Sequence, residues 1–253
     1  MPDGAARTVS NGMLAAITGG GSGTARGTAV RLSGDGFPIC GIDVESDTLR
    51  ATGELLPDGA SVTEVPDLAN VAIEETFTRI PNSEGAVDAL DDNAGTGFAE
   101  TSHETSVATG NLTVAVDLSA MFHTCHAILP SIIALAAATV LNASSVAGVL
   151  GAEQRAAYCA AKAGLTGLAC DCGGSFRAGN PGQRDRSRHG PHRIVRKFLG
   201  DLAYPDELPA KVEARQLGGA TGSPEEIASR DRLPGPRFVN DSASVTDGGM
   251  TPV

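Results

Sequence analysis

The chain has 253 residues, 41% of them apolar and 19% charged, with 32 Gly, 14 Pro, 4% aromatics and no Trp. Its net charge of −11 repels a phosphate backbone, which argues against nucleic acid as a partner. No stretch approaches the ~18 uninterrupted apolar residues of a bilayer span, and the opening MPDGAARTVSNG lacks the apolar segment of a signal peptide. No membrane partner is therefore expected. The five cysteines, Cys40, Cys125, Cys159, Cys170 and Cys172, are odd in number and show no paired zinc spacing, so a reducing, cytoplasmic setting is expected.

A core built from Ala, Val, Leu and Ile, with many glycines, fits a parallel sheet closely covered by helices. In chain order, Met13–Thr18 is a short apolar run ending in glycines, as a buried strand would be. Gly23–Leu32 follows as a helix of small residues, and Phe37–Asp43 gives a second strand. The stretch Val62–Ile80 starts extended and turns helical from about Asn70. Val87–Asn93 and Val140–Ala143 are further strands. Between them, Val114–Ala138 is apolar at helical spacing, with Pro130 near its end. Tyr158–Leu168 reads as a helix, after which Cys170–Lys197 is dense in arginine and reads as an exposed basic loop. No repeat or linker is visible, so one α/β domain is expected, a doubly wound Rossmann fold with a central parallel sheet.

Two patterns carry chemistry. The turn TGGGSGTA, residues 18–25, stands between a strand and a helix, where glycines let a backbone approach a pyrophosphate and helix-terminal amides donate to it. Asp43 ends the next strand, about 20 residues on, where an acid accepts the ribose hydroxyls of NAD and repels a 2′-phosphate. Neither Ser22 nor Val44 supplies a cation for that phosphate, which favours NAD over NADP. The second pattern is Tyr158-x-x-x-Lys162. Residues four apart share a helix face, so the ammonium is expected to favour the phenolate and lower the Tyr158 pKa. Ser145, in NASSVAG, is placed to orient a substrate oxygen.

Together these motifs resemble the short-chain dehydrogenase/reductase family, with matches in family order over residues 13–168. The resemblance implies cofactor contacts from Gly19, Gly21, Ser22, Gly23 and Thr24, from Asp43, and from Asp67 and Leu68 on the adenine side. Further contacts fall to Asn93, Ala94 and Gly95 in DNAG and to Tyr158 and Lys162. It implies a Ser145–Tyr158–Lys162 triad, with Asp117 where the family has an asparagine, and FVNDSASVTDGG resembles the family's last strand. The implied activity is NAD-dependent hydride transfer between nicotinamide and a secondary alcohol or ketone, in a homo-oligomer (tetramer or dimer). An NADP-dependent 3-oxoacyl reductase and a catalytically silent dinucleotide-binding protein stand as alternatives. The family's variable substrate lid falls at about 190–215, around Tyr204–Leu208.

Three departures stand out. Ala25 replaces the third glycine of the turn, Asp117 replaces the asparagine, and Asp91 and Asp92 place two adjacent carboxylates in a strand expected to be buried. The basic stretch is also anomalous, because the family's strand GIRVNAIAPG is absent there. Codons can be chosen for Gly179–Arg193 that, read one nucleotide later, give GIRVNAIAPGMVRT. Residues 170–197 and 229–237 are therefore expected to be out-of-frame translations, and His189 and His192 are not read as ligands. His123 and His126, three apart on a helix, lack further ligands and are read as structural.

Overall fold

The structure, a computed structural model, describes residues 14–57, 61–64, 72–83, 86–133, 139–179, 184–189, 223–228 and 242–245. Seven strands form one parallel sheet: β1 Leu14–Thr18, β2 Ile39–Asp43, β3 Ser61–Glu64, β4 Val87–Asp92, β5 Thr139–Ser144, β6 Arg184–His189 and β7 Ser242–Val245. Their spatial order is β3-β2-β1-β4-β5-β6-β7, so the winding reverses between β1 and β4. The helices are α1 Gly23–Gly34, α2 Ser46–Gly53, α3 Ala72–Ser83, α4 Val107–Val114, α5 Ala120–Ile133, α6 Ala147–Leu150, α7 Ala156–Gly179 and α8 Pro224–Ala228. This is the doubly wound Rossmann arrangement expected from the sequence.

Every residue of β1 and β2 is buried, as expected of central parallel strands covered on both faces. Alternation along the strands then divides the core in two. Leu14, Ala16, Ile42, Leu90 and Val140 pack with Phe77 and Ile80 of α3 and Ile128 of α5. Ala15, Ile17, Ile39 and Ala89 pack with Ala25, Ala29 and Leu32 of α1. Ala25, buried here, shows why a methyl is tolerated at the third glycine position: it faces this second cluster.

Three elements differ from their sequence-based expectation. The helix expected at Val114–Ala138 begins instead at Val107, capped by Ser106, whose hydroxyl accepts a bond from Thr109 N at 3.0 Å. A five-residue π-helical turn, Ala115–Ser119, then links α4 to α5. Pro130 lies in the last turn of α5, as expected. By length and composition Val107–Pro130 could cross a bilayer, but α5 packs against α3 and β4.

The expected basic loop is not a loop over much of its length. Helix α7 runs on to Gly179, and Arg184–His189 forms β6, paired in parallel with β5 from Thr139↔Arg184 to Ser144↔His189. The strand is paired with β5 on one side and β7 on the other. Residues 229–237 and the lid at 190–215 lie outside the described residues.

Candidate active site

The sheet register brings the carboxyl ends of its strands together: Thr18 pairs with Ile42 and with Asp92, and Asp92 with Asn142. The crevice beyond a reversal in strand order is where open α/β sheets bind ligands. The glycine turn follows β1, Asp43 ends β2, DNAG leaves β4 and Ser145 follows β5.

Gly19 adopts φ +71°, and a Cβ there would lie 3.0 Å from Ala94 Cα. Gly21 is equally constrained: a Cβ would meet Thr48 Oγ1 at 2.5 Å and Asp43 Oδ2 at 2.7 Å. Its amide instead donates to Asp43 Oδ2 at 2.9 Å, while Asp43 Oδ1 accepts from Glu45 N at 3.1 Å. The buried Asp43 carboxylate is thereby fixed beside the turn. Arg26 is a residue that motif reading missed. Its guanidinium bonds Gly21 O, Thr48 O (3.2 Å) and Thr52 Oγ1 (2.9 Å), tying the turn to α2.

Ser22 is the N-cap of α1, yet its hydroxyl is buried without a hydrogen-bond partner. An orphaned hydroxyl, a helix N-terminus and two glycines that exclude a Cβ together fit a bound dinucleotide pyrophosphate. Gly23 and Thr24 open the helix itself. Asp67 and Leu68 lie outside the described residues.

Thr18, which the motifs did not single out, joins the turn to DNAG. Its Oγ1 accepts from Asn93 N at 3.0 Å and Ala94 N at 3.1 Å, then donates to Asp92 Oδ1 at 3.2 Å. Thr124 of α5 bonds Asp92 Oδ2 and the Met121 carbonyl. Burial, aided by the charge of Asp91, pushes the Asp92 carboxyl up to about 7, although Thr124, Thr18 and Lys162 pull it back. The adjacent acids are thus relieved by Asp92 carrying a proton near neutrality. Asp91 is buried on the strand's other face.

The triad converges. Tyr158 and Lys162 share a face of α7, with Lys162 Nζ 5.7 Å from the Tyr158 ring centroid, and Tyr158 is hydrogen-bonded to Ser145. Ser145 Oγ also accepts from Ala147 N at 3.2 Å, which fixes it at the start of α6. Behind it, Ser144 Oγ donates to Lys162 O at 2.8 Å. Gly148 permits this close packing, since a Cβ there would lie 2.7 Å from the Lys162 carbonyl carbon.

Lys162 Nζ donates to Ala143 O at 2.9 Å and forms an ion pair with Asp117 Oδ1 at 3.3 Å. The π-helical turn carries Asp117 inward, where Oδ2 accepts from Thr96 N at 3.1 Å. Burial raises the pKa of Asp117, opposed by Lys162 and Thr96. The expectation that Lys162 lowers the Tyr158 pKa fails. Burial first, then the Asp117 charge, hold the phenol above its ordinary value, while Ser145 and Arg155 act in the other direction. The ammonium is engaged by Asp117 and Ala143 instead.

The two histidines set aside in the sequence have structural partners. His123 Nδ1 is 2.7 Å from Glu74 Oε1, and His126 stacks on Phe122. No cluster of potential metal ligands occurs among the described residues.

A profile of the short chain dehydrogenase family matches residues 13–174. The chain is 27% identical to 2-(S)-hydroxypropyl-CoM dehydrogenase 3 of Xanthobacter autotrophicus, over 94% of this chain and 96% of that protein. It is 28% identical to a cyclohexanol dehydrogenase of an Acinetobacter species, over 95% and 96%. Among solved structures, levodione reductase superposes with a TM-score of 0.86 at 24% identity, covering 95% of this chain and 98% of that one.

Proposed function

The chain belongs to the short-chain dehydrogenases, NAD(P)-dependent alcohol dehydrogenases and ketone reductases, and from this premise we propose that it transfers hydride between NAD and a secondary alcohol or ketone. The convergence of Ser145, Tyr158 and Lys162 on one another carries this reading. NAD, when bound, supplies the carbon that accepts or gives the hydride.

Ser145 Oγ, anchored by Ala147 N, holds the substrate oxygen by hydrogen bonding. Tyr158 Oη, already bonded to Ser145, exchanges the proton of that oxygen as general acid or base. Lys162, fixed by Ala143 O, orients the ribose next to the phenol. Asp43 accepts the adenosine ribose hydroxyls and repels a 2′-phosphate, and Arg26 is committed to backbone carbonyls. Both features favour NAD over NADP. Small secondary alcohols as substrates fit the activities for which the relatives are named, cyclohexanol oxidation among them. The exposed apolar side chains Val107, Leu112, Val114 and Phe122 fit a subunit contact in a homo-oligomer.

Turnover of a panel of secondary alcohols with NAD and with NADP tests the reading. Wild type is expected to prefer NAD by a large factor, and Asp43→Ala to erode that preference. Equal use of both coenzymes by the wild type would refute the role given to Asp43.

A further inference from the structure

The Asp117–Lys162 pair is unlike the other ion pairs among the described residues. Its side chains are 0% and 3% exposed, whereas Arg50–Asp47 is 67% and 91% exposed. Both partners are held in place: Asp117 Oδ2 by the Thr96 amide, and Lys162 Nζ by the Ala143 carbonyl. The carboxylate can neither swing away nor reach solvent. Tyr158 lies one turn before Lys162 on the same face of α7.

We propose that Asp117 is a positioning residue that neutralises Lys162 and so keeps Tyr158 in its proton-donating phenol form through neutral pH. The inference rests on the reading of Tyr158 as the acid–base group. A lone ammonium beside a buried phenol favours the phenolate, whereas an ammonium joined to a carboxylate presents little net charge. The carboxylate also opposes a second negative charge nearby. The titratable and charged groups facing the phenol are Asp117 from the π-helical turn and Lys162, Arg155 and Cys159 from α7. Asp92 from β4 also acts on Lys162, but it is Asp117 that forms the direct ion pair with the ammonium, at 3.3 Å. Burial, Asp117 and Cys159 raise the Tyr158 pKa, while Ser145 and Arg155 lower it. The site is therefore set to protonate a carbonyl oxygen near neutrality, and alcohol oxidation is expected to begin only in alkaline solution.

The chain has two tyrosines and no tryptophan, so tyrosinate absorbance, with Tyr158→Phe as the blank, reports Tyr158 alone. Wild type and Asp117→Asn are titrated over the range in which circular dichroism shows both folded, with Asp117→Ser as a second variant should the first not fold. Ionisation of Tyr158 is expected about one pH unit or more lower in the variant, a tenfold gain in phenolate at fixed pH. The acid limb of the kcat/KM profile for alcohol oxidation should move with it, while NAD binding is retained. Coincident titrations, or a later one in the variant, overturn the proposal. The absorbance titration needs no turnover, so absence of activity would sink the functional reading and still leave Asp117 decided by the titration.

Discussion

Asp92→Asn is expected to stabilise the folded chain above neutral pH and to change little in strong acid. In the native state this carboxyl titrates at about 7, with burial the main cause, against an ordinary value of 3.8. Between those values the unfolded chain has already lost the proton that the folded chain keeps. Native Asp92 therefore binds more protons, and stability falls as pH rises through the interval. At about 1.4 kcal/mol per pH unit, the full loss above pH 7 is about 4 kcal/mol. An asparagine keeps an oxygen to accept from Thr18 and offers an amide N–H to Thr124, whose hydroxyl also donates to Met121 O. Urea unfolding of both proteins from about pH 5 to about pH 8 isolates the effect, because other titrating groups cancel in the difference. The variant should already lead by about 2 kcal/mol near pH 5 and by about 4 kcal/mol above pH 7, with a melting-temperature gap on the order of 10 °C at the alkaline end. A constant difference across the range, or a wild type that gains on the variant as pH rises, refutes the reasoning.

Other substitutions probe the packing around the site. Gly148→Ala places a methyl against the backbone of Lys162 and Ala163, at 2.7–2.8 Å. It is expected to cost about 1–3 kcal/mol in thermal or urea unfolding and to lower kcat by displacing Ser145 from Tyr158. Gly21→Ala drives a methyl into Asp43 Oδ2 and Thr48 Oγ1. Calorimetry should show NAD binding weakened by roughly tenfold or more, equivalent to about 1.4 kcal/mol, with the melting temperature far less affected. Arg26→Leu removes the links from the turn to α2 and is expected to raise the KM for NAD more than it lowers kcat.

Much of the sheet was legible because central parallel strands are short apolar runs closed by glycine or acid, as MLAAIT and FPICGID are. The catalytic spacing was legible for a similar reason, since the i, i+4 relation of Tyr158 and Lys162 is local to one helix. The π-helical turn was hidden because one extra residue in a turn barely disturbs an apolar periodicity, so α4 and α5 read as a single helix. Strand β6 was hidden because its arginine-rich sequence has no apolar strand pattern, and only its pairing with β5 and β7 reveals it. The adjacent acids Asp91 and Asp92 became intelligible only with Thr18 and Thr124, which lie 74 and 32 residues from Asp92. Likewise, the rise of the Tyr158 pKa comes first from burial and then from Asp117, a residue brought to Lys162 by tertiary packing alone.

Formation of NADH from NAD and a secondary alcohol, compared between the wild-type chain and Tyr158→Phe with NAD binding measured for each, bears most directly on Tyr158 as the acid–base group. The variant is expected to bind NAD as the wild type does and to lose roughly 10²–10⁴ in turnover. Equal turnover by the two proteins would contradict it.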